Sequence, residues 1–164
     1  MAVAMIEKMP GCPFCAIADG SAPAKIRLDL GDVLIFDPLE PVTGGHVLVV
    51  PRQHVEAFNV DPAVTARVAE VAAEYARVWR DDFAGFNLIT SDGAAATQTV
   101  MHLHFHVVPR HPRDRLALPW SENVNDLALA FYEGVTWEQL SPEQQQRFHR
   151  YASTFSDNAK WAQL

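Results

Sequence analysis

The sequence predicts an α+β domain built on an antiparallel sheet, with one crossover helix and a helical C-terminal extension. Three observations carry this. Two short apolar runs, I-R-L-D-L and V-L-I-F-D, flank the turn pair Gly31-Asp32 and read as a β-hairpin. One well-capped amphipathic helix separates a buried strand from the strands that follow. The alternating stretch T-V-M-H-L-H-F-H-V-V-P is the strongest strand candidate in the chain. Strands paired through hairpins, with helices between and after them, fit this class.

The elements follow in order. Residues 1–11 read as a flexible tail ending at Pro10-Gly11, and residues 12–164 as a single domain. C-P-F-C-A-I-A-D-G is a compact knuckle, with a short helix stopped by Gly20. The hairpin comes next, then a Pro- and Gly-rich turn, D-P-L-E-P-V-T-G-G. H-V-L-V-V-P is a buried strand closed by Pro51. Asp61-Pro62 starts the main helix with an N-cap carboxylate and a proline at the first helical position. Val64, Val68, Val71, Tyr75, Val78 and Trp79 recur at helical spacing and predict its buried face, running to about Arg80. The helix crosses over to the strand G-F-N-L-I-T, and a loop, S-D-G-A-A-A-T, leads to the alternating stretch. Beyond Pro109 the chain is irregular. Helices are expected at 124–132 and from Ser141-Pro142, where Gln144 suits a capping box, within an extension over 121–164.

Composition narrows the function classes. The 164 residues carry a formal net charge of −7, which argues against a nucleic-acid partner bound through a broad basic face. No apolar run approaches the ~18 residues of a membrane span, so no membrane partner is expected. The N-terminus lacks a basic segment followed by an apolar one, and a cytoplasmic location is expected. The two cysteines, Cys12 and Cys15, lie in C-P-F-C. In a chain without a secretion signal they read as a metal or redox pair rather than a structural bridge. A redox motif would need a preceding strand, and a zinc knuckle would need two further ligands.

Three of the seven histidines, His102, His104 and His106, alternate with Leu103, Phe105 and Val107. In a strand such residues share one face while the apolar ones face a core. A His-rich polar face by chance is improbable, because histidine is neither common nor a strong strand former. Two functional readings remain: metal chelation, or one imidazole acting as a nucleophile positioned by its neighbours.

The stretch Q-T-V-M-H-L-H-F-H-V-V-P-R resembles the signature of the histidine triad (HIT) family, in which histidines alternate with apolar residues. F-D-P at 36–38, G-H-V-L-V-V-P-R-Q-H at 45–54 and S-D-G at 91–93 resemble it too, in the expected order. The likeness spans roughly residues 12–112. It departs at Thr97, where many relatives have glycine, and that bears on the tightness of the phosphate loop.

The resemblance implies a HIT-like fold and a hydrolase or nucleotidyl transferase acting at the α-phosphorus of dinucleoside polyphosphates, nucleoside phosphoramidates or related nucleotides. The reaction would pass through a covalent nucleotidyl-histidine with His104 as nucleophile. Gln98 and Thr99 would lie beside the phosphate as neutral donors, with His106 as a second neighbour. Asp37 would accept from the ribose hydroxyls, Phe36 and its strand would hold the base, and His46 would pack beside the nucleophile. The zinc-binding branch implies a structural zinc held by Cys12, Cys15, His54 and His102. A homodimer is implied as well. The alternative, a non-catalytic nucleotide-binding or sensor module, is disfavoured by the presence of His104.

Overall fold

The computed structural model describes residues 8–112, 114, 116–118, 136–143 and 145–146. The chain falls into two compact units, Met1–His111 and Pro112–Leu164. The first holds helix α1 (Pro13–Ala18), strands β1 (Ile26–Asp29), β2 (Val33–Phe36) and β3 (Val47–Pro51), helix α2 (Pro62–Val78), and strands β4 (Gly85–Ile89) and β5 (Phe105–Arg110). The sheet order is β1-β2-β3-β5-β4, and every neighbouring pair is antiparallel. Because β3 and β4 both run against β5, they are parallel to each other, and α2 is the crossover that such a pair requires. This is the α+β arrangement expected from the sequence.

Local signals account for the elements. Asp61 caps α2, its carboxylate accepting from the backbone N–H of Ala63 and Val64 at 3.0 and 3.1 Å, with Pro62 at the first turn. Gly31, at φ +85°, makes the turn that joins β1 to β2. Of the expected N-terminal tail, residues 8–11 are described. Met9 N–H points at Cys15 Sγ at 3.5 Å, and Lys8 pairs with Asp19 at 3.2 Å.

The sheet separates two apolar clusters by strict alternation. Val33, Ile35, Val47, Val49, Leu103, Phe105 and Val107 pack with Val68, Val71 and Ala72 of α2. Leu34, Phe36, Leu48 and Val50 pack on the other face with Phe14 and Ala18 of α1. The alternation therefore turns the three triad histidines towards the α1 side.

Two expectations are corrected. The helix face does not extend to Val78 and Trp79, which are 64% and 44% exposed. The core ends near Tyr75, so the last helical positions have nothing to cover. The alternating stretch also becomes a ladder strand only at Phe105. Before that its backbone bonds go elsewhere: Leu103 N–H to the Val55 carbonyl at 2.6 Å, and His102 N–H to that of Val100 at 2.8 Å. His102 and His104 thus sit on an extended lead-in, and only His106 lies in β5 itself.

In the second unit, Trp137–Gln139 form a 3-10 turn, and residues 142, 143, 145 and 146 are helical. The expected helix at 124–132 and the capping residue Gln144 lie outside the described residues. Among the described residues no helix is long and apolar enough to cross a membrane.

Candidate active site and metal centre

Helix α1 presents Cys12 and Cys15 to two histidines that are remote in sequence. Cys12 Sγ is 3.4 Å and Cys15 Sγ 3.6 Å from His102 Nδ1, and Cys15 Sγ is 3.4 Å from His54 Nδ1. The four ligand atoms all lie within 4.8 Å of one another. A tetrahedral zinc with ordinary Zn–S and Zn–N bonds needs S···N edges of roughly 3.5 Å, so the set fits. The donor chemistry fits as well. His102 is fully buried, and its Nε2 lies 2.9 Å from the Pro51 carbonyl. A carbonyl can only accept, so Nε2 carries the proton and Nδ1 turns its lone pair towards the thiols. Burial draws His102 down to about 4, which keeps it in the neutral, ligating form. His54 Nε2 is buried without a hydrogen-bond partner among the described residues, leaving Nδ1 as its working atom.

His104 is 7% exposed. Its Nδ1–H donates to the His102 carbonyl at 2.7 Å, so Nε2 bears a free lone pair. Burial lowers its pKa, and the bond to His102 partly offsets this. The ring is bracketed edge-on by Phe14, at 5.3 Å between centroids, and by His106, at 5.1 Å. Phe14, the residue inside C-P-F-C, also meets His102 and Phe36, at 5.8 and 5.5 Å. Sequence reasoning did not single it out, although its place between the two cysteines was the available signal.

His46 sits against His106 rather than against His104. Val42 N–H donates to His46 Nδ1 at 3.2 Å, which leaves His46 Nε2–H to donate to His106 Nδ1 at 3.0 Å. This order of bonds puts the remaining proton of His106 on Nε2. Burial lowers both pKa values, that of His106 to about 4.

Of the remaining residues, Gln98 falls differently from expectation. Gln98 is buried and its amide is fully committed. Oε1 accepts from Gly93 N–H at 2.8 Å, while Nε2 donates to the carbonyls of Glu56 at 2.7 Å and Val100 at 3.0 Å. With both N–H groups directed at the backbone, it clasps the loop and has no donor left for a phosphate. Thr99 is exposed and borders a cavity of about 310 Å³ with Cys12, His54 and Met101. Thr97, the departure from the triad pattern, adopts φ +68°. Phe36 is buried on the α1 face. Asp37 is held by Arg27 through a bidentate pair at 2.6 and 2.9 Å, and by Lys25 at 3.1 Å. The Arg27 guanidinium holds its carboxyl below the usual range. Arg110 donates to Asn87 Oδ1. Arg113 and Arg115 lie outside the described residues.

The HIT-domain profile matches residues 19–113. An uncharacterized HIT-like protein of Methanocaldococcus jannaschii is 34% identical over 116 residues, covering 70% of this chain and 90% of that protein. A zinc-bound histidine triad family protein from Mycobacterium smegmatis superposes with a TM-score of 0.62 at 35% identity, over 77% of this chain and 98% of that one. Among the relatives are two named for a specific enzymatic activity. An adenylylsulfatase of Arabidopsis thaliana is 32% identical over 64% of this chain and 55% of its own length. An adenosine 5′-monophosphoramidase of Candida albicans is 25% identical over 70% of this chain and 81% of its own.

Proposed function

Because this chain belongs to the histidine triad family, we propose that it is a nucleotide hydrolase or nucleotidyl transferase working through a covalent nucleotidyl-His104. The observation that carries this reading is the bond from His104 Nδ1–H to the His102 carbonyl, which leaves an unprotonated Nε2 on a buried ring. In the first step the Nε2 lone pair attacks the α-phosphorus. The Pα–N bond forms, and the bond to the leaving group breaks with its electron pair. In the second step water, or another acceptor, attacks the same phosphorus and releases His104. His106 presents its Nε2–H as a neutral donor to the phosphate or the departing atom, and His46 fixes that tautomer. Thr99 offers a hydroxyl at the phosphate, and Gln98 acts by holding the loop that carries Thr99. Asp37 addresses the ribose, and Phe36 lies beneath the base.

The substrate class is a nucleoside 5′-phosphoryl group bearing an amine or sulfate leaving group, as the two named relatives suggest, or a polyphosphate one. Cys12, Cys15, His54 and His102 would hold a zinc ion. Four protein ligands close its shell, so its contribution is a cross-link between α1 and the triad segment rather than Lewis-acid chemistry. We further propose a homodimer located in the cytoplasm.

The test is chemical trapping. A base quench during turnover of α-labelled adenosine 5′-phosphoramidate should leave label on the protein, and acid treatment should release it, as an acid-labile, base-stable P–N bond requires. His104→Ala should bind nucleotide, keep its metal and lose turnover by several orders of magnitude. Label on another residue, or undiminished rates in His104→Ala, would overturn the mechanism.

A further inference from the structure

The four side chains of the metal cluster are held unequally. His102 is fully buried, and its Nε2–H is fixed by the Pro51 carbonyl at 2.9 Å. Cys15 is buried, with Met9 N–H pointing at its Sγ. The other two have less support. His54 Nε2 has no hydrogen-bond partner among the described residues, although a ligating histidine is ordinarily oriented through its second ring nitrogen. Cys12 is only partly buried. Cys12 and His54 both border the cavity of about 310 Å³, and neither Cys15 nor His102 does. The shell is thus weakest on the side that a small molecule can reach. No Asp, Glu, Lys or Arg lines that cavity; Met9, Val100 and Met101 make much of its wall, so it suits a small neutral molecule. Cys12 and Cys15 also stand within one turn, Cys12 as the N-cap of α1 and Cys15 three residues on. Their sulfur atoms lie within 4.8 Å of each other.

We infer that Cys12 is a site of oxidation by small hydroperoxides, and that its closure with Cys15 is a reversible switch that releases the zinc and loosens the nucleophile. The inference rests on the zinc reading of the cluster proposed above. In the first step the Cys12 sulfur gives two electrons to the hydroperoxide. The O–O bond breaks, a sulfenic acid forms on Cys12, and the second oxygen leaves as hydroxide and is protonated. In the second step the Cys15 thiolate attacks the Cys12 sulfur. The S–S bond forms, the S–O bond breaks, and hydroxide leaves to become water. With hydrogen peroxide the balance is two thiolates, one peroxide and two protons to one disulfide and two waters. A disulfide draws the sulfur atoms to about 2.05 Å and removes both negative charges, so neither can serve a tetrahedral zinc. The effect reaches His104 by two contacts. Phe14 lies between the cysteines and brackets the His104 ring at 5.3 Å. His102 loses the metal at Nδ1, and its carbonyl is the acceptor that fixes the His104 tautomer.

The zinc-loaded full chain, treated with graded hydrogen peroxide, tests this without reliance on turnover. Thiol titration, a chromophoric zinc indicator and intact mass follow the reaction. Zinc release should track thiol loss, one ion for each pair oxidised, with a mass change of two hydrogens lost. A dithiol reductant with added zinc should restore the thiols, the bound metal and the turnover that fell with them. In untreated protein iodoacetamide should label Cys12 about tenfold faster than Cys15, as their unequal access requires. Cys15→Ser should halt at the sulfenic acid, captured on Cys12 by dimedone; the wild-type measurements stand alone where that variant does not fold. Thiols that survive while Met9 or Met101 gains oxygen overturn the inference. So do zinc retained after the disulfide has formed, and faster labelling of Cys15. Failure of the zinc reading would appear separately, as absence of zinc from the untreated chain.

Discussion

His106 should make the protein acid-sensitive in a way that one substitution removes. Burial, aided by the neighbouring His104 and His46, lowers its pKa from 6.5 to about 4. Between these values the unfolded chain binds a proton that the native ring refuses, so stability falls as pH drops from 6.5 towards 4 and is level above 7. At pH 5 the unfolded imidazole is almost wholly protonated while the native one is mostly neutral, a difference of about 2 kcal/mol. Solvent contact at the partly buried ring makes this an upper figure. Urea unfolding at pH 7.5, 6.5 and 5.0 measures it. The metal ligands and His46, which faces Asp37 as well as His106, contribute pH dependence of their own. The informative quantity is therefore the difference between wild type and His106→Gln. The variant should lose less stability between pH 7.5 and 5.0, by about 1–2 kcal/mol. Parallel stability–pH curves for the two proteins would refute the reasoning, because they would mean that the native ring takes up its proton like the unfolded one.

Further outcomes follow from other parts of the structure. Purified protein should carry about one zinc per chain, and Cys12→Ser should lose it and unfold at lower temperature, as elemental analysis and thermal melts would record. Gln98→Leu leaves the Glu56 carbonyl and the Gly93 N–H without their side-chain partner, while the Val100 carbonyl keeps the His102 N–H, and should cost about 1–3 kcal/mol in chemical denaturation. Any loss of activity should then accompany disorder of the 93–100 loop in amide exchange. Asp61→Ala removes the α2 cap and should cost about 1 kcal/mol with turnover unchanged, which separates stability from chemistry.

The elements governed by local rules were legible in the sequence. The capped helix, the Gly31 turn and the apolar alternation each depend on residues within a few positions of one another. The alternation also predicted correctly that the histidines share one side, although the strand is shorter than the pattern. Pairing with β3 stops at Val49↔Phe105, and nothing in the residues at 100–104 marks where a neighbour ends. The same holds for Val78 and Trp79: helical spacing identifies a face, but the length of that face which is covered depends on the size of the sheet beneath. The cysteine pair was visible as a chelating half-site. Its partners lie 39 and 87 positions from Cys15, beyond any local pattern. Least legible were the groups whose partners are backbone or surface charges. Gln98 has the same composition whether it donates to a phosphate or to two carbonyls, and the Arg27–Asp37 pair depends on a cross-strand neighbour one bulge away from ideal register.

The alternation from His102 to Val107 has a consequence for fidelity of folding. Imidazoles and core hydrocarbons are interleaved on one backbone, so a slip of one residue against β3 would move all of them together. Leu103, Phe105 and Val107 would leave the cluster beneath α2, and the histidines would enter it without the Pro51, His102 and His46 partners they have now. Such a mispaired chain forfeits both hydrophobic burial and polar satisfaction, and it has no partial optimum in which to linger. The arrangement that aligns the site is thus also an error-rejecting code for the sheet. Substitutions at the histidines should therefore be read with register in mind: an apolar replacement weakens the discrimination between the two pairings, whereas a polar one preserves it.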